Sequence, residues 1–187
     1  EMNMHMPQNV MAETELKNLA AIPYQIVSPA SSSPIIGIFQ DSMLGSYRFT
    51  RPNLKFTPKE VMNLLMMYPN VDIGKLNKKE YTSFDVLSQI MPPMTMKRKT
   101  GLYDENEDYE TSNNVLEIRN GEFMRGQLDK KCFGNNGITH RIFNDFGNRP
   151  ASDFIDNLQN IITEYMKSSA FSVGISDLIA DKKTTDS

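Results

Sequence analysis

The sequence predicts an α+β fold in which helices and short strands alternate along the chain. Residues 152–168 repeat apolar side chains at helical spacing. Residues 57–60 read Thr-Pro-Lys-Glu, the pattern that begins a capped helix. Asn120-Gly121 separates two strand-like runs, as a two-residue hairpin turn does. No internal repeat is visible, and 187 residues suffice for one domain with a core, or one domain with an extension.

Composition narrows the classes of protein. With 20 basic and 23 acidic residues the net charge is -3, so any contact with nucleic acid must be local. The single cysteine, Cys132, excludes an internal disulfide framework and suits a reducing compartment. No apolar run approaches the roughly 18 residues that a membrane span needs, and the N-terminus lacks the pattern of a signal peptide. A hydrophobic share of 39% fits a module that borrows contacts from its neighbours.

The N-terminal elements are predicted to be a strand and a helix. Met alternates with Asn and His over residues 2–6, and this period of two ends at Pro7. Asn9 then caps a helix that runs to about residue 19. Its apolar face would consist of Ala12, Leu16, Leu19 and Ala20. Residues 23–37 hold three prolines and three consecutive serines, which predicts extended chain and loop, and a helix over residues 38–47 follows.

The central elements begin with the capped helix. Thr57 is its cap and Glu60 completes a capping box. Its buried stripe would be Val61, Leu64, Leu65 and Tyr68, and Pro69 would stop it. A short helix over residues 83–91 ends at Pro92-Pro93. Residues 95–127 are predicted to form strands around a polar loop, with a hairpin of strands 115–119 and 122–127.

The C-terminal elements are helical. A helix is expected over residues 137–146, followed by the longest helix, over residues 152–168, with Asp153 and Asp156 near its positive end. Its apolar stripe is Phe154, Ile155, Leu158, Ile161, Ile162, Tyr165 and Met166. The tail after Asp181 is polar and is expected to fray.

The residues themselves predict no catalytic site and no metal site. The chain has no Asp-x-Asp-x-Asp spacing, and Glu1 alone cannot hold magnesium. His5 is interpreted as a packed, hydrogen-bonded side chain on the first strand. His140 lies on a helix with no second ligand at i+4, so zinc is unsupported. The lysines before Cys132 could lower the pKa of its thiol, but no base accompanies it, and a packed thiol is expected.

Two basic clusters are visible. Lys130-Lys131 precedes a Gly-Asn-Asn-Gly turn at residues 134–137, where two ammonium groups could approach phosphates closely. A lysine pair taken alone is more often a solvated surface feature. The second cluster, Lys97-Arg98-Lys99, and the acidic run 104–108 are expected to lie in an exposed loop, with the acidic run at its tip.

Four blocks of sequence carry a resemblance to a known family. They are residues 1–8 (EMNMHMPQ), residues 25–45 with QIVSP and PIIGIFQDSMLG, residues 126–137 with GQLDKK and GNNG, and residues 171–181 with FSVGISD and IAD. In this order they resemble the largest subunit of multi-subunit, DNA-directed RNA polymerases of eukaryotic or large-DNA-virus type. The matching region of that subunit is the pore domain, and it begins just after the metal-binding aspartate motif.

The resemblance implies an organisation and a function. Residues 1–37 would be the trailing edge of the catalytic barrel, residues 38–170 the pore domain, and residues 171–187 the start of the funnel. The chain would shape the pore through which nucleoside triphosphates enter and backtracked RNA leaves. Lys130 and Lys131 match the pore lysines that meet the 3′ end of backtracked RNA in related polymerases. No catalytic or metal-binding residue is carried over to this chain.

The resemblance also implies a cofactor and partners. The whole enzyme, a nucleotidyltransferase, would use Mg²⁺ held by ligands upstream of this chain, so a fragment by itself would be inactive. Its partners would be the rest of the largest subunit, the second-largest subunit, template DNA, nascent RNA and a transcript-cleavage factor, with no membrane. The expected location is intracellular, in the nucleus or at a viral replication site in the cytoplasm. The alternative is a stand-alone protein-interaction module of polymerase ancestry.

Overall fold

A computed structural model describes residues 2–180. The predicted α+β class is confirmed in this part of the chain. The helices are α1 (Val10–Asn18), α2 (Gln40–Phe49), α3 (Pro58–Leu64), α4 (Ser83–Ile90), α5 (Lys130–Phe133), α6 (Ile138–Phe146) and α7 (Asn148–Ser168). The strands are β1 (Val27–Ser28), β2 (Ser33–Pro34), β3 (Lys55–Phe56), β4 (Tyr81–Thr82), β5 (Met96–Lys99), β6 (Val115–Arg119) and β7 (Glu122–Arg125). Single 3-10 turns lie at Ile22–Gln25, Ile73–Lys75 and Ile175–Leu178.

Helix α7 forms the centre of the core. Its predicted apolar stripe is buried except for the partly buried Met166, and the helix packs against α2, α3, α4 and α6. It begins at Asn148, four residues before the predicted start at Ser152, because Pro150 is tolerated in a first turn, where backbone N–H groups have no helical acceptor. α2 approaches α7 at Gly45, where an added Cβ would stand 2.3 Å from Cγ2 of Ile162. Only glycine allows this approach.

The largest sheet is a three-stranded antiparallel meander in the order β5-β6-β7. The predicted hairpin turn is confirmed, with φ of 47° at Asn120 and 80° at Gly121, the left-handed pair that a type I′ turn requires. β7 ends at Arg125, two residues before the predicted end. The strand stops there because Gly126 has a φ of 123° and lies against Leu116, where a Cβ would be 2.5 Å from the Leu116 Cα.

Helix α3 confirms the predicted capping box. The Thr57 hydroxyl accepts from the Glu60 N–H, and the Glu60 carboxylate accepts from the Thr57 N–H at 2.7 Å. The regular helix ends at Leu64, and i to i+3 bonds carry the chain on to Tyr68, just before Pro69. α4 has a second capping box, between Thr82 and Asp85, which was not predicted from the sequence. In the loop region 23–37 the chain forms the small β1–β2 hairpin.

Several expectations for the N-terminus were wrong. Residues 2–6 form no strand, since no described residue pairs with them, and Met2 and Met4 are each 98% exposed. His5 is therefore exposed and not packed. Asn9 does cap α1, accepting from the Ala12 N–H at 2.8 Å, but none of the predicted apolar face is buried. Within residues 2–180 this helix finds no apolar surface to cover it.

Two further boundaries differ from the predictions. α2 covers Gln40–Phe49 and not residues 38–47, because Phe39 is still extended and serves as its N-cap. Lys97-Arg98-Lys99 lies in strand β5, paired with β6, and not in a loop. The acidic run 104–108 does lie in the loop after β5, with Glu107 half-buried. Glu1 and the predicted frayed tail from Asp181 lie outside the described residues.

Candidate nucleic-acid interface

The two lysines singled out in the sequence lie on the one-turn helix α5. Both side chains are exposed, while the next two residues, Cys132 and Phe133, are buried. Asp129 caps the turn, since its Oδ1 accepts from the Cys132 N–H at 3.0 Å. The sequence predicted a turn after the pair, and the helix that carries the pair was not predicted. The signal was present in Asp129 followed by an apolar pair, a cap and an anchor around the lysines.

Asp129 also fastens α5 to the large sheet. Its Oδ2 accepts from the N–H of Gly101, just after β5, at 2.5 Å. A Cβ at Gly101 would lie 2.7 Å from this oxygen and 3.9 Å from the Cβ of Lys131. Since the two bonds from one carboxylate join segments 28 residues apart, the backbone under the lysines is held on both sides. The exposed lysine side chains thus project from a backbone that hydrogen bonds hold on both sides.

Cys132 is the buried anchor of α5. Its Sγ donates to the carbonyl of Gln127 at 3.7 Å, and the neighbouring Leu128 N–H donates to Thr50 Oγ1 at 2.8 Å. Burial raises the pKa of the Cys132 thiol to about 12. The expectation that the adjacent lysines lower this pKa was wrong, because desolvation is the largest effect on the thiol and the cation that opposes it is Arg98. The thiol stays protonated and serves packing, not nucleophilic chemistry.

The turn at residues 134–137 continues directly from α5. The Gly134 N–H donates to the Lys130 carbonyl at 3.1 Å, and the Gly137 N–H donates to the Gly134 carbonyl at 2.9 Å. A Cβ at Gly137 would lie 2.3 Å from the carbonyl oxygen of Cys132, so only glycine fits. Asn136 has a φ of 54°, and its N–H donates to Nδ1 of His140 at 3.1 Å. His140, on α6, thus fixes the turn to this helix by a hydrogen bond.

The basic strand contributes one more cation to this surface. Arg98 donates from Nη1 to the Asn135 carbonyl at 2.9 Å, which brings β5 against the turn. Lys97 and Lys99 point away from Arg98, as alternation along a strand requires. The Nζ of Lys97 lies 2.8 Å from Glu110 and 4.5 Å from the Tyr109 ring, and that of Lys99 lies 4.5 Å from the Tyr103 ring. The loop after β5 therefore engages these two lysines.

Charge is distributed unevenly around α5. Among residues 2–180, neither lysine of α5 forms an ion pair, and Arg98 has no carboxylate partner. Arg141, on α6, is paired with Asp145 at 2.6 Å. Three cations thus remain available to an external anion. The two basic clusters are separate in the sequence, and the position of Arg98 on the same side as the lysine pair was not predicted.

Metal-ligating side chains do not gather anywhere in residues 2–180: no group of three or more His, Cys, Asp or Glu could hold an ion there. His140 uses Nδ1 as an acceptor for backbone N–H, a structural role. In the same range no helix is both long and apolar enough to cross a membrane.

Comparison with known proteins identifies the family to which the chain belongs. The model of the family described as RNA polymerase Rpb1, domain 3, matches residues 25–178, a range that includes the sheet, α5 and the turn after it. The chain belongs to this family. The resemblance to the largest subunit of RNA polymerase is thereby confirmed.

Two curated relatives agree with the family assignment. They are DNA-directed RNA polymerase II subunits RPB1-A and RPB1-B of Trypanosoma brucei brucei, each 30% identical over 193 residues. Each alignment covers 98% of this chain. The chain spans 11% of the length of these relatives.

Proposed function

We propose that this Rpb1 domain 3 chain forms the pore region of the largest catalytic subunit of a DNA-directed RNA polymerase. Its part in transcription is to shape the channel for entering nucleoside triphosphates and for the backtracked RNA that leaves. Residues 1–37 would belong to the edge of the catalytic barrel, residues 38–170 to the pore, and residues 171–187 to the funnel. Family membership over residues 25–178 supports this proposal.

The observation that carries the proposal is that Lys130 and Lys131 are exposed, form no ion pair within residues 2–180 and stand on a backbone held by hydrogen bonds. A lysine without a carboxylate partner can bind an external phosphate directly. A paired lysine would first have to release its carboxylate. Asp129 holds the backbone below them through two bonds. Contacts from ammonium groups to phosphates position a nucleic acid without reading its sequence. This suits a channel that must accept any transcript.

Catalysis is assigned to other parts of the enzyme. Nucleotidyl transfer, the attack of an RNA 3′ hydroxyl on an α-phosphate, uses Mg²⁺ held by clustered carboxylates. Residues 2–180 contain no such cluster, so they do not fit this ion. We therefore assign the chain no catalytic or metal-binding residue, and we expect it to incorporate no nucleotides when isolated.

The partners follow from this position in the enzyme. They would be the rest of the largest subunit, the second-largest subunit, template DNA, nascent RNA and a transcript-cleavage factor that enters through the pore. Since the curated relatives are RNA polymerase II subunits of a eukaryote, a nuclear location is favoured over a viral replication site. Their similarity over 98% of the chain also favours a polymerase part over a stand-alone interaction module.

The test is charge removal in the assembled polymerase. In a Lys130→Ala/Lys131→Ala enzyme we expect backtracked complexes to hold extruded RNA more weakly and to cleave it at an altered rate. Losing two phosphate contacts to single-stranded RNA should reduce the slope of log affinity against log salt by about 1.4. The measurement is the lifetime of backtracked complexes at several salt concentrations.

A matched control is Lys59→Ala/Lys79→Ala, which removes two exposed lysines that have no ion-pair partner among the described residues and lie outside α5. This enzyme should keep the original lifetimes and salt slope. Unchanged backtracking and transcript cleavage in the α5 variant would reject the assignment of Lys130 and Lys131.

A further inference from the structure

The backbone at the C-terminal end of α7 is held by a side chain of α2. Ser169 is the C-cap of α7, and its carbonyl and that of Ala170 accept from Nη1 of Arg48 at 3.0 Å and 2.8 Å. Carbonyls at a helix C-terminus have no donor within the helix, and they lie at the negative end of its dipole. A guanidinium is a cation with several N–H donors, so it satisfies both conditions.

The packing of α2 on α7 places Arg48 at this point. The neighbouring Phe49 is fully buried, and its ring lies 5.0 Å from that of Tyr165, in the last turn of α7. Tyr165 Oη in turn accepts from Ser169 Oγ at 3.1 Å. Arg48 is therefore part of a fixed contact between two helices, although 121 and 122 positions separate it from its two acceptors.

Beyond α7 the chain leaves the core. All residues in the range 170–180 are exposed, and the turn within it is bonded internally, from the Gly174 N–H to Asp177 Oδ2 at 2.8 Å. In the described part of the chain, the bond from Arg48 to Ala170 is the one hydrogen bond that joins this range to another helix or strand. One guanidinium thus holds the start of an otherwise exposed segment.

Phe171 provides a second, weaker contact. Its ring centroid lies 5.7 Å from Cζ of Arg48, within the range of a cation–π contact. The same ring lines a cavity of about 540 Å³ between α2 and α7, whose apolar walls include Phe39 and Met166. Because Phe171 is 54% exposed, it loses little buried surface when it leaves the cavity. The bonds from Arg48 are therefore the main restraint on the segment.

We propose that residues 169–173 are a strap that Arg48 clamps to α2, and that this clamp sets the direction in which the chain leaves α7. With the guanidinium bound, the strap lies across the end of α7. Without it, the chain from residue 170 onward swings away from α2. In the organisation proposed above, the strap joins the pore to the funnel, and Arg48 is a positioning residue between them. That placement rests on the proposed function, whereas the clamp rests on the contacts of Arg48.

The first test measures how widely the segment moves in the full 187-residue chain. Cys132 is buried, so cysteines introduced at two exposed positions, Gln159 on α7 and Ser176 beyond the strap, take up spin labels selectively. Pulsed EPR then gives the distribution of distances between the two labels. Arg48→Met removes the donors but keeps an unbranched side chain that can pack. It should broaden the distribution about twofold or more, since a segment that is not tied down is poorly ordered.

Matched controls separate the clamp from other effects. Arg51 lies two residues after α2, and its guanidinium lies over the Tyr47 ring, 5.4 Å from the ring centroid, and not on the strap. Arg51→Met should therefore keep the narrow distribution. Phe171→Leu removes the ring but leaves both carbonyl bonds, so it should also stay narrow. Arg48→Lys keeps a cationic donor near the carbonyls and should recover most of the original width.

The second test uses hydrogen exchange in the assembled polymerase. The Ser169 N–H donates to the Tyr165 carbonyl at 3.1 Å, so exchange of this amide reports opening of the last turn of α7. In Arg48→Met this amide should exchange about tenfold faster or more, the effect of losing a charge-assisted bond. Arg51→Met should leave its exchange unchanged. This readout applies even where the isolated variant chain does not fold.

The outcomes distinguish the clamp from the pore function. Unchanged exchange in Arg48→Met would overturn the clamp, and so would an equal broadening of the distance distribution in Arg51→Met. The Lys130→Ala/Lys131→Ala enzyme should alter neither readout, because α5 makes no bond to the strap. Failure of the lysine assignment and failure of the clamp are therefore seen in different variants.

Discussion

Asp129 shows how much one side chain decides about this surface. In the sequence Asp129 directly precedes the lysine pair within GQLDKK, and its charge alone does not distinguish it from any other charged residue. In the folded chain its two oxygens cap α5 and bind the backbone after β5. Because both acceptors are occupied by backbone N–H groups, the carboxylate is committed to structure. Of the charged side chains at residues 129–131, only the two lysines are available to a ligand.

At the same scale, Cys132 gives a direct chemical prediction. With a pKa of about 12 and a buried side chain, the thiol is almost entirely protonated at pH 8. We expect the folded chain to react with a thiol reagent about 100-fold more slowly, or slower still, than the chain in denaturant, since only the thiolate is nucleophilic. The measurement is the labelling rate followed by mass spectrometry. Equal rates would mean that Cys132 is not buried.

At the scale of elements, the strand pair β6–β7 carries a charged triad. Glu117, whose side chain is buried, accepts from Arg119 Nε at 2.6 Å and from Arg125 Nε at 2.9 Å. Arg125 also donates to the carbonyls of Tyr109 and Ser112. The triad therefore ties the loop after β5, with its acidic run, to the sheet. The acidic run was expected to be a solvated loop tip. The loop that contains it is attached to the sheet through the Arg125 bonds to Tyr109 and Ser112.

The triad predicts a pH dependence of stability. Burial alone would raise the pKa of Glu117, but the bonds from Arg119 and Arg125 outweigh it and hold this pKa below its usual value. A carboxylate with a lowered folded-state pKa stabilises the fold above its unfolded pKa, and this contribution is lost as the pH falls through the folded pKa. Glu117→Gln should cost about 1 kcal/mol at neutral pH, a discounted figure because Arg119 is solvent-exposed.

The check is denaturant unfolding of both chains over a pH series. The difference in unfolding free energy between the original chain and Glu117→Gln should be largest at neutral pH and should narrow as the solution is acidified below the ordinary carboxyl pKa of 4.5. A difference that stays constant with pH would show that the glutamate contributes by packing and not by charge.

At the scale of the whole molecule, the N-terminal segment stands apart from the core. Residues 2–6 are exposed and pair with no strand in the described part of the chain, and α1 has no buried residue. The core instead gathers around α7, with residues from Ile26 onward. All buried residues of that core come after α1, so the segment adds little to the stability of the remainder.

This separation predicts the effect of truncation. Removal of residues 1–19 should change the unfolding free energy of the chain by no more than about 0.5 kcal/mol, the usual range for surface changes. The measurement is thermal or denaturant unfolding of the full and shortened chains. As a control, Leu158→Ala in the centre of α7 should cost about 2–5 kcal/mol, since Leu158 is fully buried. A large loss on truncation would place α1 in the core.

The sequence by itself determined the features whose physics is local. The Thr57–Glu60 capping box, the Asn120-Gly121 turn and the stripe of α7 each depend on residues a few positions apart, and each was predicted correctly. Family membership also came from the order of short blocks and was confirmed. The prediction of a strand at residues 2–6 was wrong. Alternation of apolar and polar residues indicates which face a strand could bury, but it does not indicate whether a partner strand exists.

Only the tertiary structure decided what surrounds Lys130 and Lys131. The bonds from Asp129 to Gly101 and from Arg98 to Asn135 join residues 28 and 37 positions apart. They bring a basic strand, a one-turn helix and a glycine turn to one surface, and they place the serine hairpin across a cleft from it. Such contacts are set by how elements distant in the sequence pack together, which no local pattern encodes. The lysines could be named from the sequence, but their neighbours could not.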